Sequence, residues 1–188
     1  MLQRVVDKVL AKSGKIHTRR SRTIWLIVDE FLFLVVAPWC LIGPAHWLCR
    51  SWPRLMSGAS GMALGSVSVI FGLAYSLWAV TAQWRHGEGT PSLNAPPQRL
   101  VMAGPYRLSR NPIQFGSFFY ILGLGTMVSS FVTGLVAATV GLAVGIFYIK
   151  NVEEKEMLVR FGEQYRDYRA RTPFLIPQLC HREYTTSG

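Results

Sequence analysis

The chain is poor in cysteine, in acidic residues and in the short motifs of soluble enzymes. Its three cysteines, Cys40, Cys49 and Cys180, show no CxxC spacing, and an odd count excludes a fully paired disulfide framework. The histidines His17, His46, His86 and His181 are scattered and build no ligand cluster with them, so no metal site is expected. There is no GxxxxGK[ST] loop, no GxGxxG opening a βαβ unit and no GxSxG elbow, which removes the common soluble nucleotide-binding and hydrolase architectures. Charged residues make up only 16% of the chain, and the 20 Lys and Arg outnumber the 10 Asp and Glu.

What is abundant is apolar sequence, half of all residues, gathered into blocks that a soluble domain of 188 residues could not hide. Four segments stand out: Ile24 to Leu48, Ala59 to Trp84, and a third and fourth joined in one stretch from Ile113 to Ile149 without a single charge. About 20 residues cross a bilayer core, so that last stretch is too long for one span and predicts two short spans joined by a turn near Ser129 and Ser130. Backbone polar groups must be satisfied inside lipid, and no short alternating segments of a β-barrel are present. The expected fold is therefore all-α, a polytopic membrane protein with about four transmembrane helices, the last two a helical hairpin. A C-terminal cytoplasmic amphipathic helix follows. The first 23 residues are basic, but the apolar run after them is too long for a signal peptide and reads as a retained first span.

Basic residues give the orientation. They are dense before the first span (Arg4, Lys8, Lys12, Lys15, Arg19, Arg20, Arg22), sparse in the first loop, dense in the second, missing from the Ser129 turn and dense again from Lys150 to Arg182. That alternation predicts both termini inside, and the compact length suits a prokaryotic inner or plasma membrane. The net charge of +10 then suits anionic lipid and argues against nucleic acid, because the basic residues follow the inside rule and not one face of a soluble fold. Asp29 and Glu30, near the inner end of the first span, are expected to pair with Arg19, Arg20 or Arg22.

Two inner segments carry candidate chemistry. In Gly104-Pro105-Tyr106-Arg107-Leu108-Ser109-Arg110-Asn111-Pro112, Pro112 suits a first helical turn and Asn111 its cap. Arg110 stands beside that terminus as a bidentate donor for a carboxylate. In the second segment Glu153, Met157, Phe161 and Tyr165 recur at i+4. Glu153 thus lines up with an apolar stripe at the membrane end, where a carboxylate is costly unless it meets a cation. Gly123 and Gly125 permit close helix packing or close approach of a ligand.

In order, these segments resemble the isoprenylcysteine carboxyl methyltransferase and phospholipid (phosphatidylethanolamine) methyltransferase superfamily over roughly residues 83 to 178. The resemblance rests on Gly87-Glu88-Gly89-Thr90-Pro91, Pro96-Pro97, Leu100-Val101, Gly104-Pro105-Tyr106, Arg110-Asn111-Pro112, Gly123-Leu124-Gly125, Glu153-Glu154, Phe161-Gly162, Tyr165, Tyr168 and Pro173 through Pro177. It implies an enzyme using S-adenosyl-L-methionine on a lipophilic acceptor. With the charge and hydropathy pattern it divides the chain into a basic segment (1–23), two spans (24–84), a catalytic region (85–178) and a tail (179–188). Cofactor contacts carried over from the resemblance are Gln98, Arg99, Leu100, Val101, Tyr106, Asn111, Pro112, Ile113, Gln114 and Glu153, with Gly123 and Gly125 secondary. Arg110, Glu153, Glu154 and Tyr106 are the catalytic candidates, and Lys150, Tyr165 and Tyr168 face the acceptor. Departures from the family are Asn111 where histidine is common, Gln114 where tyrosine is common, and only Lys150 basic just before the acidic pair. An asparagine at 111 cannot relay a proton near neutral pH. A membrane reductase using NADPH and a non-catalytic scaffold are the alternatives.

Overall fold

The computed structural model describes residues 19–87 and 97–178. The basic residues of segment 1–18, the Gly89-Thr90-Pro91 and Pro96 elements of the resemblance and the tail lie outside the described residues. Helix α1 (Arg19–Phe31) runs through a wide, π-helical turn at Leu32–Val36 into α2 (Ala37–Leu48), forming one rod for the first span. Helix α3 (Ala59–His86) is the second span, and α4 (Pro112–Val128) and α5 (Phe131–Tyr148) form the hairpin. Three of the helical runs are long and apolar enough to cross a membrane, and α4 is a shorter apolar helix. At 17 residues α4 is about 26 Å long, close to the thickness of a bilayer core. The hairpin turn falls at Ser129 and Ser130, as expected. Ser130 caps α5 by accepting from the Thr133 amide, so a short polar turn serves where lipid offers no partner.

The turn sits at the same end as the first loop. Phe131 N donates to Leu55 O at 3.0 Å, and His46 Nδ1 lies 2.9 Å from Ser129 Oγ. The second loop and everything after Tyr148 therefore gather at the opposite end. Of the partners expected for Asp29 and Glu30, the Arg19 and Arg22 side chains lie outside the described residues, and Arg20 makes no ion pair with either acid.

Close packing of α3 on α4 is written in small residues. Along α3, Gly65, Gly72, Ser76 and Ala79 share one buried face. A Cβ on Gly72 would come within 2.5 Å of Tyr120 N, and one on Gly116 within 2.3 Å of Ser76 Oγ. Such contact lets two helices associate by dispersion where no hydrophobic drive exists between them. Large side chains point outward: Trp39, Val67, Ile70, Leu77 and Phe147 are all more than 60% exposed, an apolar belt suited to lipid. The chain is an all-helical integral membrane protein.

Helix α5 continues through a second wide turn, Ile149–Glu153, into α6 (Glu154–Arg171). The i+4 stripe expected through residue 165 is interrupted. Gly162 adopts φ +50°, a conformation glycine reaches without Cβ strain, and the helix kinks there. The helix ends at Arg171, and residues 172–178 run on as an extended strap.

Candidate functional site

The loop before α4 is held by backbone contacts at both ends. Gln98 N and Arg99 N both donate to Gly87 O, at 2.7 and 3.2 Å, which brings the chain back to the end of α3. Gly104, at φ +60°, lies against the Trp78 indole and starts a single 3-10 turn, Gly104–Arg107. That turn buries Tyr106 among Ala79, Ala82 and Val101, with Ile113 packed alongside. Tyr168 Oη donates to Tyr106 O at 2.7 Å, and Arg160 donates to Pro97 O, so α6 grips the loop from its other side.

The strap completes the enclosure. Arg110 N donates to Pro173 O at 2.9 Å and Gln178 N donates to Leu108 O at 3.1 Å. Asn111, expected to cap α4 with its side chain, does not. Its Nδ2 donates to Phe174 O at 2.8 Å, while Ser109 Oγ accepts from the Asn111 amide. The Phe174 ring lies under both the Arg110 guanidinium and the Lys150 ammonium, 5.5 and 5.2 Å from its centre.

Three acids lie where the second wide turn passes into α6, and their surroundings differ. Glu154 accepts from Arg110 Nη1 at 2.5 Å and has Arg169 at 3.7 Å. Glu156 accepts from Arg160 at 2.8 Å. Glu153 has no basic partner among the described residues. Burial, reinforced by the negative charges of Glu156 and Glu154, pushes its carboxyl up to about 7. The Tyr106 hydroxyl is held well above its ordinary range, by burial first and by the Glu153 charge second.

Glu153 opens on a cavity of about 40 Å³ bounded also by Gln83, Val101, Tyr106, Met157 and Tyr165. Gln83, near the end of α3, lines that cavity beside Tyr106, and its Oε1 is buried without a partner among the described residues. On the far side of Tyr168 lies an open cleft of about 300 Å³ bordered by Arg107, Asp167 and Arg171.

The structure thus brings together Arg99, Leu100, Val101, Tyr106, Arg110, Asn111, Glu153, Glu154, Tyr165 and Tyr168 around one cavity. Gln98 and the buried Pro112 shape its loop without lining it, and Ile113 packs behind Tyr106. Lys150 stands at the exposed edge. Three candidates are elsewhere. Gln114 lies against Gly145 of α5, Gly123 against Gly65, and Gly125 against Gly134, all inside helix contacts with no space for a ligand. The expectation that Arg110 offers a free guanidinium to an anion meets its occupation by Glu154 and by Thr172 O, which accepts from Nε at 3.1 Å. Gln83 was not singled out in the sequence, and Met157 was named there only as a member of the i+4 stripe. The small-residue stripe Gly65, Gly72, Ser76, Ala79 runs on to Gln83 at i+4, the one signal that pointed inward.

Chemically, the enclosure sets two acceptors, the Glu153 carboxylate and the Gln83 amide carbonyl, beside Val101 and Met157, and neither has a basic partner among the described residues. Such a site suits a cation carrying N–H groups, or a polarised cationic centre, since a buried charge persists only with a counter-charge.

A family model for phospholipid methyltransferases matches residues 60–164. The chain is 32% identical to the protein-S-isoprenylcysteine O-methyltransferase of Rattus norvegicus, over 81% of this chain and 55% of that protein. It is 28% identical to methanethiol S-methyltransferase 2 of Bradyrhizobium diazoefficiens, over 80% of this chain and 50% of that one. It is also 28% identical to the cobalt-zinc-cadmium resistance protein CzcN of Cupriavidus metallidurans, over 95% and 70%. The chain spans about half the length of the two methyltransferases. No solved structure matches it.

Proposed function

Because the chain belongs to the phospholipid methyltransferase family, we propose that it transfers a methyl group from S-adenosyl-L-methionine to a lipophilic acceptor at the cytoplasmic face of the membrane. The observation that carries this reading is Glu153, a carboxylate without a basic partner in a walled cavity between the loop before α4 and the turn after α5. When bound, the cofactor supplies an electrophilic methyl group on a sulfonium. The acceptor set around Glu153 fits its cationic end; about 40 Å³ holds that end and not the nucleoside, which the Tyr106–Tyr168 side of the loop would have to receive.

The chain's own residues then act by position. Glu153 holds a positive charge in place and stays ionised while it does so. Tyr106, pinned by Tyr168, keeps the loop of Arg99, Leu100 and Val101 against the cavity and shields it from water. In-line transfer needs alignment more than covalent help, and near-attack positioning supplies about 7 to 11 kcal/mol. A dry enclosure strengthens the fixed dipoles that hold both reactants. Arg110 and Glu154 act as a clamp on this arrangement. Lys150 is the exposed cation at the membrane edge for an anionic acceptor group, with Tyr165 closing the wall. The apolar belt lets the acceptor enter sideways from the bilayer, and anionic lipid suits the basic inner segments. The relatives' names include an isoprenylcysteine and methanethiol as acceptors, which supports a lipophilic acceptor here. Residues 85–178 form the catalytic region on this reading.

The test is transfer itself. Proteoliposomes made with lipid from a native membrane are incubated with S-adenosyl-L-methionine labelled in the methyl group, and the organic extract is counted. Label entering the extract with wild type and not with Glu153→Gln is the expected result. A wild type that transfers nothing, and is stabilised by NADPH and not by S-adenosyl-L-methionine in a thermal-shift assay, would replace the proposal with the reductase reading.

A further inference from the structure

The cation that Glu153 would hold could be either of two groups on such a cofactor, the sulfonium or the α-ammonium, and Gln83 distinguishes them. A sulfonium has no N–H. It is satisfied by a diffuse negative field and donates no N–H hydrogen bond to an amide carbonyl. An ammonium has three N–H donors and needs three acceptors in specific directions. Gln83 Oε1 is such an acceptor: buried, without a partner among the described residues, and on a residue that lines the same cavity as Glu153. Tyr106 lines the same cavity, and Ala79, Ala82 and Val101 pack around it.

We propose that Gln83, at the inner end of the second span, is a cofactor-contacting residue whose carbonyl and the Glu153 carboxylate together seat a primary ammonium. This rests on the methyl-transfer reading and deepens it. The amino-acid end of the cofactor enters the cavity, and the sulfonium with its methyl group stays outside Gln83, toward the acceptor. Primary amines are the ligand class selected; an acylated amine keeps the rest of the molecule but loses the charge and two of the three N–H donors.

The experiment compares two ligands and two variants on the full chain in nanodiscs by calorimetry. The ligands are S-adenosyl-L-homocysteine, which has the ammonium and no sulfonium, and its N-acetyl derivative. Wild type is expected to bind the first at least about tenfold more tightly than the second, the size of a lost charged hydrogen bond. Gln83→Met is expected to weaken the homocysteine by about tenfold and to leave the N-acetyl derivative unchanged. Gln83→Glu, which keeps the acceptor and removes the donors, is expected to retain binding. If the amide served only as a donor to Glu153, the Glu variant would lose binding along with the Met variant, and the proposal would be overturned. Equal affinity of wild type for both ligands would overturn it without any variant. A wild type that binds neither ligand fails the methyl-transfer reading itself, a different outcome from binding that ignores Gln83.

Discussion

Arg110 and Glu154 stand 44 positions apart in the chain and meet at 2.5 Å, each side chain only 11% exposed. That contact joins the loop before α4 to the helix after α5 and draws the strap in with it, through the bond from Arg110 Nε to Thr172 O. Breaking one side of a buried pair leaves an uncompensated charge, at a cost of several kcal/mol. Arg169, 3.7 Å from Glu154, takes up part of that charge. Arg110→Met is therefore expected to lose about 3 kcal/mol, the low end of the range for buried pairs. Thermal unfolding in detergent checks this, and Arg110→Met with Glu154→Met should recover most of the loss. An unchanged melting temperature for the single variant would show that the clamp is not under load.

Glu153 gives a pH signature. Its carboxyl is raised from 4.5 to about 7, so the folded protein holds the proton more tightly than the unfolded chain does. A raised acid is harmless while protonated; its cost appears above 4.5 and is complete above about 7. The interval of 2.5 units corresponds to an upper bound of about 3 kcal/mol. Glu153→Gln mimics the protonated form. It should match wild type in melting temperature at pH 5 and exceed it at pH 8 when no ligand is present. Ligand binding should show the reverse dependence, with a cationic ligand binding wild type more tightly as pH rises from 6 to 8. A melting-temperature difference that does not vary with pH would contradict the shift.

Asn111 separates a cap from a tether. Aspartate is as good a helix cap as asparagine, but it has no N–H to offer Phe174 O. If the tether matters, Asn111→Asp should behave like Asn111→Ala, with a loss of about 1 kcal/mol and faster proteolysis of the segment beyond Arg171. Retention of stability by the Asp variant and not by the Ala variant would restore the capping role.

The glycine seam between α3 and α4 makes a steric prediction. A Cβ on Gly72 meets Tyr120 N at 2.5 Å and Gly116 O at 2.6 Å, both backbone atoms that cannot swing aside. Gly72→Ala is expected to cost about 1–3 kcal/mol by forcing the helices apart. Gly43→Ala meets nothing within 4 Å and should be neutral or slightly stabilising by helix propensity. Similar melting temperatures for the two variants would contradict the seam.

The spans and their turn were legible because the bilayer leaves few choices: apolar length fixes Ala59–His86, and an uncharged stretch too long for one crossing had to fold back at Ser129–Ser130. The meeting of the Arg110 segment with the Glu153 segment followed from their shared side of the membrane. The wide turns at Leu32–Val36 and Ile149–Glu153 left no mark in composition, since an extra residue in a helical turn is set by the packing around it. The second of them carries Glu153 itself. Periodicity could not foresee Gly162 breaking the stripe after Phe161. Nor could it assign Asn111, whose cap and tether roles use the same residue type. Gln83 escaped notice because one amide at the end of a long apolar run looks like an interfacial residue. Its meaning depends on Tyr106 and Glu153, 23 and 70 positions later in the sequence.

The most direct measurement is calorimetric titration of S-adenosyl-L-homocysteine into the reconstituted protein, with Glu153→Gln set against Glu163→Gln. Glu163 is a solvent-facing acid paired with Arg166 on the same helix and serves as the control. The account predicts binding by wild type and by Glu163→Gln, and binding at least about tenfold weaker by Glu153→Gln. No binding by wild type at millimolar ligand, or equal effects of the two substitutions, would contradict it.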